Sequence, residues 1–243
     1  SGWREIYGAL SVAGAIIFVV AFWSFGESAK PGQRSSLRPR DILRNYRNVL
    51  SHRVFLGFAL VNGLTFAAMF AYISGSPLVL MANMGLSTGA YSLIFAITAG
   101  AMVVGSSVNG WAATREMSPK MLFRTAMALL VASPLLLVIL TLTGSLTVPV
   151  LVPLIAVTTF SLGIVMPNST HGALQPMGRT AGVASAVLRA IQMACGAAAS
   201  GLVASLYDGE SAIAMTGTML LCAAGAAIVY LWMLKPALAK AAA

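Results

Sequence analysis

The stretch FAYISGSPLVL, residues 70–80, lies within a long apolar run, yet its centre reads Ser74-Gly75-Ser76-Pro77. Glycine costs a helix stability and proline removes a backbone hydrogen bond, so a water-soluble helix would end there. What surrounds the stretch decides how it is read. From Val54 to Thr114, and again from Thr125 to Gly178, the chain carries no Asp, Glu, Lys or Arg. Together with 58% hydrophobic residues, 9% charged residues and a mean hydropathy of +0.87, these runs exclude an ordinary soluble domain and place the chain in a membrane.

A membrane helix needs ~20 apolar residues, and a barrel strand ~10 that alternate. Segments such as LLVASPLLLVILTL do not alternate, so the expectation is an all-α, polytopic membrane helix bundle. Seven transmembrane helices fit between the charge clusters and turn signals, near residues 5–26, 54–75, 89–113, 121–142, 147–167, 180–206 and 211–234. The first is a span rather than a cleavable signal, because acidic Glu5 stands where a basic leader would be.

Basic residues set the orientation. One set of alternate loops holds Lys30, Arg34, Arg38, Arg40, Arg44, Arg47, Arg53, Arg115, Lys120, Arg124, Arg179, Lys235 and Lys240; of the 15 basic residues, only Arg4 and Arg189 fall elsewhere. This predicts an outer N-terminus and a cytoplasmic C-terminus. It also accounts for the net charge of +9 without nucleic acid. The chain starts without Met at the mouth of a span, which reads as a fragment of a longer protein.

Residues 1–26 read as one span, 27–53 as a basic cytoplasmic linker, 54–236 as a six-helix domain and 237–243 as a tail. In the linker, RDILRNYRNVLSHR puts Ile42, Tyr46, Val49 and Leu50 on one helical face with arginines around the rest, the pattern of a helix lying on the inner leaflet. It serves either as a hinge between two membrane domains or as an anchor.

The string GWREIYGAL…FGES looks like the sixth span of a major facilitator superfamily transporter, and a basic central loop follows it as in that family. FLGFALVNGLTFAAMFAYISGSPLVL with LSTGAYSLIFAITA resembles the seventh and eighth spans of the Bcr/CflA subfamily of drug/proton antiporters. MPNSTHGALQPMGRTAGVASAVLRAIQMACGA is similar to the join of the tenth and eleventh. The resemblance implies the sixth span plus the C-terminal six-helix half of a twelve-span fold, with spans one to five missing. It also implies proton-coupled efflux of drugs or other small hydrophobic or cationic compounds by alternating access. The implied partners are a small-molecule substrate, protons, the lipid bilayer and the missing half.

Candidate residues follow. Asn62, Phe66, Met69, Phe70 and Ile73 share one face of a span that in the family borders the central cavity. An amide followed by aromatic and thioether groups suits bulky apolar substrates, although the same stripe also suits packing. Ser74, Gly75, Ser76 and Pro77 form either an outer gate, with residues 78–84 folding back before Ser87 caps the next span, or a plain helix end. Arg189 lies ~13 Å inside its span and should face a cavity or a partner, with Gln192 on the same side. Small residues four apart in GVASA, from Gly182, and GAAAS, from Gly196, suit close helix approach, and Pro134, Pro149, Pro153 and Pro167 are potential bends.

In the loop NGWAATREMSPK, Gly110, Arg115 and Lys120 fit the superfamily's inner-loop motif, but its Asp is missing. Asn168-Ser169-Thr170 matches a glycosylation acceptor on the wrong side of the membrane. Cys195 and Cys222 have no metal spacing, and His52 and His171 stand alone. No cofactor, metal site or enzyme is expected. A seven-helix receptor is the other reading of the layout. Its last span has no retinal-type lysine at mid-membrane, and its largest inner loop follows the first span.

Overall fold

A computed structural model describes residues 2–24, 39–115 and 117–237. The linker residues Glu27, Lys30, Arg34 and Arg38, together with Glu116 and the tail beyond residue 237, lie outside the described residues. So do the side chains of Ile42 and Arg179. The chain divides into two units, residues 1–38 and 39–243. The first contributes α1 (Trp3–Ser24), an apolar helix with Glu5 in its first turn, where the helix dipole favours an acid.

The second unit opens with α2 (Pro39–Ser51) and continues through α3 (Arg53–Pro77), α4 (Thr88–Thr114), α5 (Pro119–Leu142), α6 (Val148–Leu174), α7 (Ala181–Leu206) and α8 (Ile213–Val229). With α1, that makes 7 helices long and apolar enough to cross a membrane among the described residues. They are helices because lipid offers no partner for a backbone N–H or C=O, so every span must satisfy its own.

The helix ends are built from local chemistry. His52 Nδ1 accepts the Phe55 N–H at 3.3 Å to start α3, and Ser87 Oγ accepts the Ala90 N–H at 3.3 Å to start α4, as the sequence led one to expect of Ser87. Gly85, at φ 69°, makes the turn between them.

The break at Ser74–Pro77 is not a break. Past Pro77 the chain continues as a π-helical turn, Leu78–Asn83, so the span runs for 31 residues and residues 78–84 do not fold back. Pro77 leaves the Ile73 carbonyl without its helical N–H, and Ser76 Oγ reaches that oxygen at 3.5 Å. Widening the helix costs less in lipid than ending it, which would expose a whole turn of unpaired groups. α6 is likewise longer than expected: it runs through Pro167 to Leu174 and ends in a 3-10 segment, Gln175–Thr180, that turns at Gly178. Pro153 and Pro167 lie inside α6 and Pro134 inside α5, whereas Pro149 sits in the first turn of α6.

α3 is the central helix of the unit, packing on α6, α7 and α8, while α4 leans on α6 and α5 bridges α6 and α8. Burial follows: 61% of α3's membrane stretch is inside the bundle against 11% of α4's. Lipid tails are as apolar as leucine, so cohesion comes from close packing rather than from exclusion of water. Glycines supply the closest approach. Gly105 of α4 lies against the Phe160 carbonyl, and Gly163 of α6 against the Met102 carbonyl and the Ser106 amide. Gly75 faces Met215 of α8, where a methyl group would come within 2.6 Å of Cβ and Cγ. An alanine at Gly75 therefore disturbs packing whether or not the segment gates. Of the two small-residue patterns in α7, Gly196 meets the Phe66 and Phe70 rings, but Gly182 has no neighbour within 4 Å. Gly63 of α3 does the work expected there, against Ile191 and Cys195.

α2 is held to the bundle by Val49, 1% exposed in a cluster with Phe55, Ala173 and Leu188. Leu43, Tyr46 and Leu50 are exposed beside Arg40, Arg44 and Arg47. That combination of apolar and basic groups suits a lipid headgroup surface.

Candidate functional site

One group of buried polar side chains gathers where α3, α6 and α7 meet. Asn62 of α3, 0% exposed, donates through Nδ2 to the Met166 carbonyl and to Thr170 Oγ1 of α6, both at 3.1 Å. Its Oδ1 is buried and has no hydrogen-bond partner, as are Thr65 Oγ1 and Ser169 Oγ nearby on α3 and α6. Unpaired polar atoms at such depth are costly, so they mark a place where a ligand or water has something to bond.

Thr170 also lines a cleft of about 710 Å³ with Met166, Pro167, His171, Leu174, Gln175 and Arg189. Arg189 donates from Nη1 to Gln192 Oε1 at 2.7 Å; Gln192 is 1% exposed, whereas Arg189 is exposed on the cleft side. The buried amide thus holds one edge of the guanidinium, and among the described residues its other donors have no partner.

The remaining candidates separate. Phe66 is buried and Phe70 half-buried, their rings 4.6 Å apart and set against Gly196 of α7. Met69 packs beside the α5–α6–α8 cluster, and Ile73 beside the cluster at the other end of α3. Met69, Phe70, Ile73, Ser74 and Pro77 are all half-buried, a partly open strip on an otherwise enclosed helix. Ser74 Oγ donates to Ser200 Oγ of α7 at 2.8 Å, and Ser76 Oγ pairs with Tyr91 Oη of α4 at 3.2 Å. The Ser74–Pro77 segment is therefore a cross-link of α3 to two neighbours. Gly110, near the end of α4, and Arg115 and Lys120, at the α4–α5 turn, are exposed and do not line the cleft, with the Arg115 guanidinium 5.5 Å from the centre of the Trp111 ring.

Several polar links had not been singled out in the sequence. Asn168 donates to Asn109 of α4 at 2.6 Å, and Ser106 Oγ donates to the Gly163 carbonyl at 3.1 Å, the oxygen whose helical donor Pro167 lacks. Tyr72 pairs with Thr98 at 2.9 Å. The signal available for Asn168 and Thr170 was their presence in an apolar run with no loop composition around them. At the far end of α7, Asn83 donates to the Glu210 carbonyl at 2.8 Å and accepts from Tyr207 Oη. There the Ser211 and Glu210 amides hold the Asp208 carboxyl below its ordinary range; that bonding is present above the ordinary carboxylate pKa and lost as pH falls through the lowered one.

The sequence profile of the Major Facilitator Superfamily matches residues 1–200. The chain belongs to this superfamily. Its helix order and seven spans agree with one span plus a six-helix half of that fold. Among curated relatives, it is 26% identical over 201 residues to the uncharacterized MFS-type transporter YdgK of Bacillus subtilis, covering 83% of this chain and 50% of YdgK. It is 24% identical over 231 residues to a bicyclomycin resistance protein homolog of Haemophilus influenzae, covering 94% of this chain and 56% of that protein. It is 25% identical over 201 residues to multidrug resistance protein MdtL of Escherichia fergusonii, covering 80% of this chain and 47% of MdtL. The chain spans about half the length of these relatives. Family and spans together make it a multi-pass membrane protein of a transporter family, and the receptor reading is not favoured.

Proposed function

We propose that this chain forms one wall of a secondary active transporter that exports drugs or other small hydrophobic compounds from a bacterium, coupled to protons, by rocking two six-helix halves about a midplane site. The observation that carries this reading is a cleft lined by Thr170 and Arg189, with the buried amides of Asn62 and Gln192 bonded to them from behind. Intramembrane polar groups of this kind are expensive unless they serve a pathway. The printed names of two relatives, a resistance protein for bicyclomycin and one for multiple drugs, support export. The basic helix ends support a cytoplasmic face for α2 and for the cleft's end of α6.

None of the six acidic residues lies deep within a span, so a carboxylate proton carrier would belong to the other half. Cells carrying the complete gene should keep a fluorescent drug out, and an uncoupler should raise its accumulation to that of cells without the gene. Export that continues unchanged in the uncoupler would exclude proton coupling, and no difference from gene-free cells for any compound would exclude export.

A further inference from the structure

We infer that the cleft between α6 and α7 selects amphiphilic organic acids, and that Arg189 is the residue that reads the acidic group. This rests on the transporter reading above and narrows it, because the sequence alone left cationic substrates open.

Arginine stays charged in any protein environment, and its planar fork offers five donors matched to a carboxylate, sulfonate or phosphate. Here one donor is used, by Gln192 Oε1 at 2.7 Å. Among the described residues no carboxylate pairs with Arg189: Asp41 faces Arg44 at 3.6 Å, and Asp208 and Glu210 follow the other end of α7, ~26 Å away along the helix. The cleft walls add no negative charge. Thr170, His171 and Gln175 bring polar atoms, and Met166, Pro167 and Leu174 bring an apolar surface. Among the described residues no acid offsets the charge a cation would meet in this cleft, whereas an anion gains a charge-assisted hydrogen bond and still buries its apolar part.

Asn62 backs the cleft wall from inside the bundle. It is fixed to the cleft wall through Thr170 Oγ1, and its buried Oδ1 has no donor. A compound with an acidic group for Arg189 and a hydrogen-bonding group for Thr170 meets polar atoms on both sides of the cleft. A phospholipid headgroup offers the same acidic chemistry, so the test separates the two sources.

The full-length natural protein carrying this chain is reconstituted in vesicles with and without phosphatidylglycerol. Export of the anionic dye carboxyfluorescein is compared with that of the cationic dye rhodamine 123, for the wild type, Arg189→Gln and Arg189→Lys. The expected result is carboxyfluorescein export in both lipid mixtures, reduced ~10-fold or more by Arg189→Gln, largely kept by Arg189→Lys, with rhodamine 123 export unchanged or raised by Arg189→Gln. If Arg189→Gln does not accumulate, polarisation of carboxyfluorescein bound to the wild-type protein decides, with displacement by benzenesulfonate and not by rhodamine 123 expected.

Export of rhodamine 123 without carboxyfluorescein overturns the inference and leaves the transporter reading intact. Equal losses of both dyes in the two variants overturn it in favour of a structural arginine. An Arg189→Gln effect that vanishes without phosphatidylglycerol assigns the arginine to a lipid headgroup and also overturns it. Export of no compound at all removes both readings.

Discussion

Gly163→Ala and Gly105→Ala will each strip the bundle of more stability than other single methyl additions to it. Gly163 and Gly105 sit where α6 and α4 cross, and a methyl on either would overlap the backbone of the facing helix, at the Met102 carbonyl and Ser106 amide or at the Phe160 carbonyl. A flexible side chain can swing away from an intruding methyl, but a carbonyl in a helix cannot. The helices must part, breaking the Ser106–Gly163 hydrogen bond that replaces the donor missing at Pro167. α4 has little other support, since it packs chiefly on α6. Overpacking of this kind costs about 3 kcal/mol. Thermal unfolding of the detergent-solubilised protein should show a clear drop for Gly163→Ala and Gly105→Ala. Gly201→Ala is the control: this helical glycine has no neighbour within 4 Å, and alanine there should be neutral or stabilising by about 0.5–1 kcal/mol. Equal unfolding temperatures for Gly163→Ala and Gly201→Ala would contradict the packing account.

Asn62→Leu is expected to separate activity from stability. Leucine fills nearly the same volume at a fully buried position but loses the bonds to the Met166 carbonyl and Thr170 Oγ1. Interhelical bonds in membranes average ~0.6 kcal/mol, and the substitution also removes an oxygen that has no partner. The Met166 carbonyl keeps its helical donor, and the Thr170 hydroxyl can turn back to its own helix. The net change in stability should stay within about 1 kcal/mol. Export should nevertheless fall ~10-fold or more, because the cleft wall loses the link that moves α3 with α6. Drug accumulation, measured at matched protein abundance, checks this. Normal export by Asn62→Leu would remove the amide from the pathway.

The number and order of the spans were legible because lipid imposes one length and one kind of backbone bonding, and the charge-free runs record both. Ser87 as a cap was legible for the same local reason. Ser74–Pro77 misled because the rule that Gly and Pro end helices is a rule for water: in the bundle, Ser76 and a π-helical turn absorb the missing donor. Asn62 stood out as a buried amide, but Thr170 lies 108 residues away, and nothing local joins them. The α4–α6 crossing was invisible for a similar reason, since Gly105 and Gly163 form no repeat with each other, while Gly182, which opens a visible repeat, meets no neighbouring helix. Position along a helix can be read from sequence, but the neighbour it faces is set by tertiary packing.

In the proposed function, the cleft at the end of α6 is a substrate passage open to the cytoplasm. Leu174 lines it and is half-buried. In the full-length protein with Cys195 and Cys222 replaced by alanine, Leu174→Cys should react with a membrane-impermeant thiol reagent applied from the cytoplasmic side, and transported substrate should slow that reaction. Reaction from the outer side alone, or a rate that no exported compound alters, would contradict it.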